Sequence, residues 1–152
     1  MKLEPLMTYH ADLKAPVQVG KGPFGNRMIF DLIQGTFEGP QVSGKMLASG
    51  ADWLLIDDAG IGRLDVRGTL ETHDGALIYM QYYGILEMNE KVTAAMLNGD
   101  SLDYGDTYFM TAPRFETGDP RYEWINRLVT VGEGRMLPNA VEYRVFQLVN
   151  DS

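Results

Sequence analysis

Residues 62–85 read Gly-Arg-Leu-Asp-Val-Arg-Gly-Thr-Leu-Glu-Thr-His-Asp-Gly-Ala-Leu-Ile-Tyr-Met-Gln-Tyr-Tyr-Gly-Ile and predict two antiparallel strands joined by a tight turn. The turn signal is Asp74-Gly75, a pair that favours two-residue hairpin turns. Because side chains alternate between the faces of a strand, such a turn places one mixed set on a single face. That face carries Arg63, Asp65, Arg67, Thr69, Glu71, Ile78, Met80 and Tyr82.

The opposite face of this hairpin is apolar, with Leu64, Val66, Leu70, Leu77, Tyr79 and Tyr83. A strand pair with apolar residues on both faces must be covered on both sides, and in a barrel one of those sides is the lumen. A sealed core does not tolerate four charged side chains, so we interpret the mixed face as the wall of a ligand cavity. The alternative is a solvated sheet face with cross-strand pairs of arginines and carboxylates.

Short apolar stretches separated by glycine and proline continue on both sides of the hairpin, which is typical of a meandering antiparallel sheet. We predict ten strands, over residues 4–13, 15–20, 27–34, 41–48, 52–57, 61–72, 76–86, 106–112, 127–134 and 140–148. Ten strands favour an all-β fold, a closed barrel or a sandwich, over an α/β fold. The length of 152 residues suits a single domain over residues 1–152.

One short helix is predicted between the seventh and eighth strands. Asn89 is a favourable N-cap, the residues from Glu90 to Leu97 include several that favour helix, and Gly99 is placed to end it. We expect this helix to be a lid or plug over one end of a barrel. Residues 111–124 are the one long irregular stretch that also concentrates aromatic and charged residues, and long loops in compact domains are often functional.

Charge and hydropathy exclude several classes of partner. The net charge is -8 and the 13 lysines and arginines are scattered, so we expect neither nucleic acid nor an anionic membrane surface as a partner. No apolar run reaches the length of a spanning helix. The N-terminal residues 1–7 lack the apolar stretch of a signal peptide, which predicts a cytoplasmic protein. A homo-oligomer is compatible with the sequence.

The sequence predicts neither a metal nor a cofactor. It has no cysteine, and its two histidines, His10 and His73, are not part of any paired-ligand spacing. Gly20-Lys-Gly-Pro-Phe-Gly25 matches a dinucleotide-binding pattern in letters, but Pro23 interrupts it and a strand follows in place of a helix. No G-x-S-x-G elbow supports a serine hydrolase, and His73 is expected to be an exposed turn residue.

A second concentration of aromatic and charged residues lies between residues 108 and 124. Arg114 and Glu116 fall on the same side of an extended strand, where they form either an ion pair or an electrophile beside a general acid or base. Tyr108, Phe109 and Trp124 either line a binding cavity or plug one end of a barrel.

Five stretches together resemble an uncharacterised bacterial and fungal family, domain of unknown function 3237. They are Gly35-Thr-Phe-Glu-Gly-Pro40, Gly50-Ala-Asp-Trp53, Leu70-Glu-Thr-His-Asp-Gly-Ala-Leu-Ile-Tyr79, Tyr108-Phe109, and Pro113-Arg-Phe-Glu-Thr-Gly118 with Tyr122-Glu-Trp-Ile-Asn126. The resemblance runs from about residue 27 to the C-terminus and implies a single antiparallel β-barrel similar in shape to allene oxide cyclase and dirigent proteins. Analogy of fold alone carries little information about function.

The family has no established catalytic residues, so the resemblance transfers positions and not roles. The matching positions with useful chemistry are Glu38, Asp52, Trp53, Arg67, Glu71, Tyr79, Tyr108, Arg114, Glu116 and Trp124.

We expect a small-molecule ligand or substrate and consider three functions. The first is a cofactor-independent isomerase, cyclase or lyase that acts on a small, largely apolar substrate. Aromatic substrates are included in this class. The second is a carrier or sensor that binds a similar ligand without changing it. The third is an assembly module whose polar face is structural and whose apolar strand surface is buried between subunits.

The enzyme hypothesis assigns a role to each candidate residue. A buried carboxyl, Glu71 or Asp65, moves a proton, and Arg67 or Arg114 stabilises the developing negative charge. A hydrogen-bond donor is expected among Tyr79, Tyr82 and Tyr108. The remaining contacts to substrate are assigned to Trp53, Met80, Phe109, Glu116 and Trp124. Both ligand-based functions depend on Arg67 and Glu71 facing a cavity.

Overall fold

The computed structural model describes residues 1–151, and its strands form one antiparallel sheet that closes on itself. Within that range the strands are β1 (Lys2–Leu13), β2 (Val17–Gly22), β3 (Gly25–Glu38), β4 (Ser43–Ile56), β5 (Ile61–Thr72), β6 (Leu77–Glu87), β7 (Phe109–Glu116), β8 (Thr130–Leu137) and β9 (Ala140–Val149). They are ordered β1-β9-β8-β7-β6-β5-β4-β3-β2, and β1 also pairs with β3. Eight strands therefore form a closed barrel and β2 extends from it, which confirms the predicted all-β barrel.

The predicted strands 41–48 and 52–57 are one strand, β4, so the prediction of ten strands is wrong by one. The pairing of β4 with β5 shifts between Met46 and Gly50, which identifies a bulge. Gly50 has a φ of 125°, a backbone conformation that other residues rarely adopt. The glycine that suggested a break between two strands therefore marks a bulge inside one strand.

The predicted helix is confirmed as α1 (Glu90–Asn98). The side chain of Asn89 accepts a hydrogen bond from the backbone N–H of Val92 at 3.0 Å, and Gly99 ends the helix with a φ of 68°. It is too short to cross a membrane, and no longer apolar helix occurs in residues 1–151.

The predicted strands at 106–112 and 127–134 lie further along the chain, as β7 and β8. Residues 103–106 form a turn, in which the backbone N–H of Asp106 donates to the carbonyl of Asp103, and this turn delays the start of β7. The segment 111–124 is consequently not one irregular loop. Its first part belongs to β7, and its last part to a 3₁₀ segment over Pro120–Arg127.

The hairpin of β5 and β6 has a different register from the predicted one. Glu71 pairs with Leu77, and the N–H of Thr72 donates to the carbonyl of Ala76, so three residues, 73–75, form the loop. One extra loop residue shifts the pairing of β5 with β6 by one position. Each face of the hairpin therefore combines a different set of β5 residues with the same β6 residues. The apolar residues Ile78, Met80 and Tyr82 consequently share the inner face with the even-numbered residues of β5.

The antiparallel order separates two ends of the barrel. At one end, large buried side chains fill the interior, including Leu6, Leu70, Ile78 and, from the 3₁₀ segment, Ile125. At the other end lie α1, the start of β2 and the turn between β8 and β9. This second end contains the cavity described below.

Candidate functional site

The inner face of the barrel borders a cavity of about 270 Å³ at the end carrying α1. Its walls are mostly apolar, and five methionines contribute to them: Met28, Met46, Met88, Met96 and Met136. An engineered cavity of about 150 Å³ accepts benzene, so this space admits a ligand of roughly two rings. Methionine side chains are flexible and polarisable, which suits a wall that adapts to the shape of a ligand.

Besides the exposed Asp100 at the rim, one carboxyl group lines this cavity, that of Asp52 in the second half of β4. The bulge before Gly50 sets the alternation that turns Asp52 and Leu54 to the lumen. Its neighbours across the sheet are Phe30 on β3 and Val66 on β5, both of which also line the cavity. A carboxyl group is therefore surrounded by apolar side chains.

Burial raises the pKa of the Asp52 carboxyl from its usual 3.8 to about 7. The backbone N–H of Asp65 opposes this by donating to Asp52 Oδ1 at 3.2 Å. The negative charge of Asp65 raises the pKa further, whereas the Arg27 guanidinium lowers it. A group with such a pKa accepts and returns protons near neutral pH.

Three buried tyrosines, Tyr9, Tyr82 and Tyr143, line the cavity together with Asp52. The rings of Tyr9 and Tyr143 are stacked with centroids 4.7 Å apart, and Tyr82 meets Tyr143 edge to face at 5.5 Å. Burial raises the pKa of all three hydroxyls well above 10, and the charge of Asp52 adds to this in each case. The tyrosines are thus neutral near pH 7 and able to donate hydrogen bonds.

The hydroxyl of Tyr9 is buried and has no hydrogen-bond partner at normal distance and angle among residues 1–151, although the Tyr82 hydroxyl is close enough to lower the pKa of Tyr9. Buried polar groups are normally paired, since an unpaired one costs about 1–3 kcal/mol. The cluster of Asp52 with three phenols consequently contains hydrogen-bonding capacity that the described chain does not use.

The side chains predicted to line the lumen from β5 lie on the outside of the barrel, and that prediction is wrong. Arg67 is exposed and its guanidinium carbon lies 5.9 Å from the ring centre of Trp53, while Glu71 pairs with Lys45 at 3.3 Å. Asp65 alternates with them on the same outer face, where its Oδ1 is buried without a hydrogen-bond partner among residues 1–151. The one-residue change in the hairpin loop is the physical cause. Arg67 and Glu71 therefore give no support to a ligand-binding function, and any such function must rest on other residues.

The other two predicted catalytic residues, Arg114 and Tyr108, are also exposed and do not line the described cavity. Arg114 and Glu116 share the outer face of β7, as the alternation predicted. Together with Tyr79 they border an external groove of about 390 Å³, which Asn126 also lines. No salt bridge joins Arg114 to Glu116 within residues 1–151, so the predicted ion pair is not formed.

The predicted substrate-contacting residues divide between the two faces. Tyr82 and Phe109 line the cavity, and Met80 is fully buried in the adjoining core. The remaining four, Trp53, Tyr79, Glu116 and Trp124, do not line the cavity that the structure describes. Trp124 packs against the core from the 3₁₀ segment.

Asp52 is one of the family positions named above for their useful chemistry, but it had no assigned role, and no sequence pattern pointed to Tyr9 or Tyr143. Asp52 was visible in the Gly50-Ala-Asp-Trp53 stretch, but an aspartate next to a predicted break between strands gave no orientation. Tyr9 and Tyr143 lie on β1 and β9, which pair with each other in the closed barrel at these very residues. That contact joins the two ends of the chain, and no local pattern indicates it.

Residues 1–151 contain no group of three or more histidine, aspartate or glutamate side chains arranged to hold a metal ion. The Gly20–Gly25 stretch, which resembles a dinucleotide-binding pattern, belongs to the hairpin between β2 and β3, where Gly22 pairs with Gly25.

Comparison with known proteins identifies relatives over nearly the whole chain. The family model described as "Protein of unknown function (DUF3237)" matches residues 1–148. A β-barrel-like protein from Acinetobacter baumannii is 36% identical, with a TM-score of 0.82, and the match covers 97% of this chain and 96% of that one. A conserved protein of unknown function from Rhodopseudomonas palustris is 30% identical, with a TM-score of 0.89 and coverage of 98% and 99%.

A more distant neighbour is described as an enzyme from Penicillium herquei. It is 19% identical to this chain, with a TM-score of 0.71 and coverage of 97% of this chain and 94% of that one. At this identity the likeness establishes a shared fold.

Proposed function

Because the chain belongs to the DUF3237 family, whose description assigns no activity, we propose a function from the geometry: cofactor-independent proton transfer on a small, largely apolar substrate in the lumen. The reaction class is that of an isomerase, a cyclase or a lyase. The observation that carries the proposal is the lumen carboxyl of Asp52, whose pKa burial raises to about 7. The Penicillium herquei neighbour supports it only in that a barrel of this fold is described as an enzyme.

In the proposed reaction, the carboxylate of Asp52 removes a proton from a carbon next to a carbonyl group. The electron pair of that C–H bond moves to the carbonyl oxygen and forms an enolate, to which Tyr82 or Tyr143 donates a hydrogen bond. Protonated Asp52 then returns the proton to a different carbon, so no redox partner or cofactor enters the balance. The apolar walls exclude water, which strengthens these interactions.

A carrier or sensor remains the second candidate function, and the same cavity supports it. A carrier needs the apolar walls and a hydrogen bond to its ligand, but it does not need a carboxyl that titrates near pH 7. Asp52 is costly to bury, and a binding role alone does not account for that cost. This difference favours the enzyme.

The test is α-proton exchange in 2-tetralone, a neutral two-ring ketone, followed by proton NMR in deuterated buffer near pH 7. We expect the parent protein to accelerate exchange, and the variant Asp52→Asn to lose about 100-fold or more of that acceleration, since general acid–base catalysis contributes about 10²–10⁴. Binding of 2-tetralone is measured separately by titration.

The matched control is Glu71→Gln, which removes a carboxylate from the outer face of β5 and should leave exchange unchanged. Exchange that Asp52→Asn does not alter would contradict the proposed role of Asp52. Binding of 2-tetralone by the parent protein without any exchange would favour the carrier.

A further inference from the structure

The distribution of charge along the cavity is uneven. Among the cavity-lining residues of the described chain, the charged ones are Lys14, Asp52 and Asp100. Lys14 and Asp100 are exposed and lie at the end that carries α1, where their opposite charges lie on the same rim. Asp52 lies deeper, among phenol rings and aliphatic side chains.

No cation lines the inner part of this cavity within residues 1–151, so a bound anion would find no opposite charge there. Arg27, the cation that acts on Asp52, donates its Nη1 to the backbone carbonyl of Trp53 at 2.8 Å and does not line the lumen. An anionic ligand would therefore be desolvated beside a like charge, which weakens its binding.

The polar groups around Asp52 are suited to one oxygen atom of a ligand. The phenols of Tyr82 and Tyr143 are donors, and the Asp52 carboxylate is an acceptor. A hydroxyl group uses both kinds of partner, whereas a carbonyl oxygen uses the donors. The walls beyond them offer apolar contacts to the rest of the molecule.

We propose that the cavity selects an uncharged ligand that carries a hydroxyl or carbonyl oxygen on an apolar body, and that Asp52 excludes the corresponding carboxylates. The oxygen lies against Asp52, Tyr82 and Tyr143, and the apolar body extends towards the methionine-rich part of the cavity. This inference rests on the proposed function, because it concerns the same cavity. It does not depend on the reaction proposed there.

The test compares three probes of similar shape: 2-naphthol, naphthalene and 2-naphthoate. Dissociation constants are measured by NMR titration at about pH 8, where Asp52 is ionised. We expect 2-naphthol to bind more tightly than naphthalene, and 2-naphthoate to bind most weakly, by about tenfold or more relative to 2-naphthol because like charges repel.

Two variants assign the selectivity to residues. Asp52→Asn should raise the affinity for 2-naphthoate by about tenfold or more while changing that for naphthalene little, because it removes the charge at nearly constant volume. Tyr82→Phe should weaken 2-naphthol but not naphthalene, since it removes a donor and keeps the ring. Glu71→Gln, on the outer face, is the control and should change none of the three.

Equal affinity of the parent protein for 2-naphthol and 2-naphthoate would overturn the inference, as would an unchanged 2-naphthoate affinity in Asp52→Asn. Equal affinity for naphthalene and 2-naphthol would contradict a subsite for the ligand oxygen at Asp52, Tyr82 and Tyr143. These outcomes concern binding alone. Loss of selectivity with continued 2-tetralone exchange would leave the proposed function standing, and selectivity without exchange would indicate a carrier.

Discussion

At the scale of single residues, Asp52 links the chemistry of the site to the stability of the fold. Its pKa is about 7 in the folded protein and 3.8 is its usual value, so the folded state binds this proton more tightly than the unfolded state. Below about pH 4 the group is protonated in both states. As the pH rises from about 4 towards 7, the unfolded chain releases this proton whereas the folded protein still holds it. The free energy of unfolding therefore falls by about 4 kcal/mol over this range.

We therefore expect Asp52→Asn to abolish this decline. The variant should be more stable than the parent protein at about pH 8, by up to about 4 kcal/mol, because an amide carries no charge to bury. The measurement is urea unfolding at a series of pH values, from which the difference between parent and variant is taken so that other titrating groups cancel. A difference that stays constant between about pH 4 and 8 would contradict the raised pKa.

At the scale of elements, the hairpin of β5 and β6 explains where sequence reasoning succeeded and where it did not. The α1 caps, the alternation on β7 and most of the strands follow from local patterns and agree with the structure. The exceptions are the predicted break inside β4 and the predicted starts of β7 and β8. The length of the hairpin loop, two or three residues, decides which residues of β5 share a face with the apolar residues of β6. The sequence His73-Asp74-Gly75 permits both, and Thr72 decides by accepting a hydrogen bond from the N–H of Ala76 at 2.8 Å.

The bulge of β4 is the second element on which the site depends. A Cβ at Gly50 would lie 2.1 Å from the carbonyl oxygen of Arg67, in addition to the strain of a φ of 125°. Gly75 has a φ of 89° and no atom of the described chain within 4 Å of such a Cβ, so Gly75→Ala measures backbone strain alone. We expect about 1–2 kcal/mol for Gly75→Ala and clearly more for Gly50→Ala by urea unfolding. Equal losses would show that the close approach at Gly50 is relieved without cost.

At the scale of the whole molecule, closure of the barrel creates the site. Tyr9 and Tyr143 come from the two ends of the chain and pair across β1 and β9, while Asp52 and Tyr82 come from its middle. The barrel class was predictable from strand number and from the family resemblance. The cluster was not, because it depends on which strands close the sheet and on two local irregularities, the bulge and the loop, that set the inward-facing residues.

Closure also predicts how a ligand affects global stability. Val66 is buried, lines the cavity, and pairs with Asp52 on one side and Tyr82 on the other. 2-Naphthol at about ten times its dissociation constant should raise the unfolding free energy of the parent protein by about 1.4 kcal/mol, because it binds only the folded state. In Val66→Phe the added ring occupies the space between Asp52 and Tyr82, so this stabilisation should disappear.

The control for that experiment is Val19→Phe, which adds the same ring to an exposed position on β2. It should keep the full stabilisation by 2-naphthol, measured by urea unfolding with and without ligand. If Val66→Phe retains the effect, the ligand binds outside the lumen, and the external groove beside Arg114 becomes the place to examine. If both variants lose it, the loss comes from perturbation of the barrel as a whole. Loss of the stabilisation in Val66→Phe but not in Val19→Phe would show that 2-naphthol binds in the lumen that closure of the sheet creates.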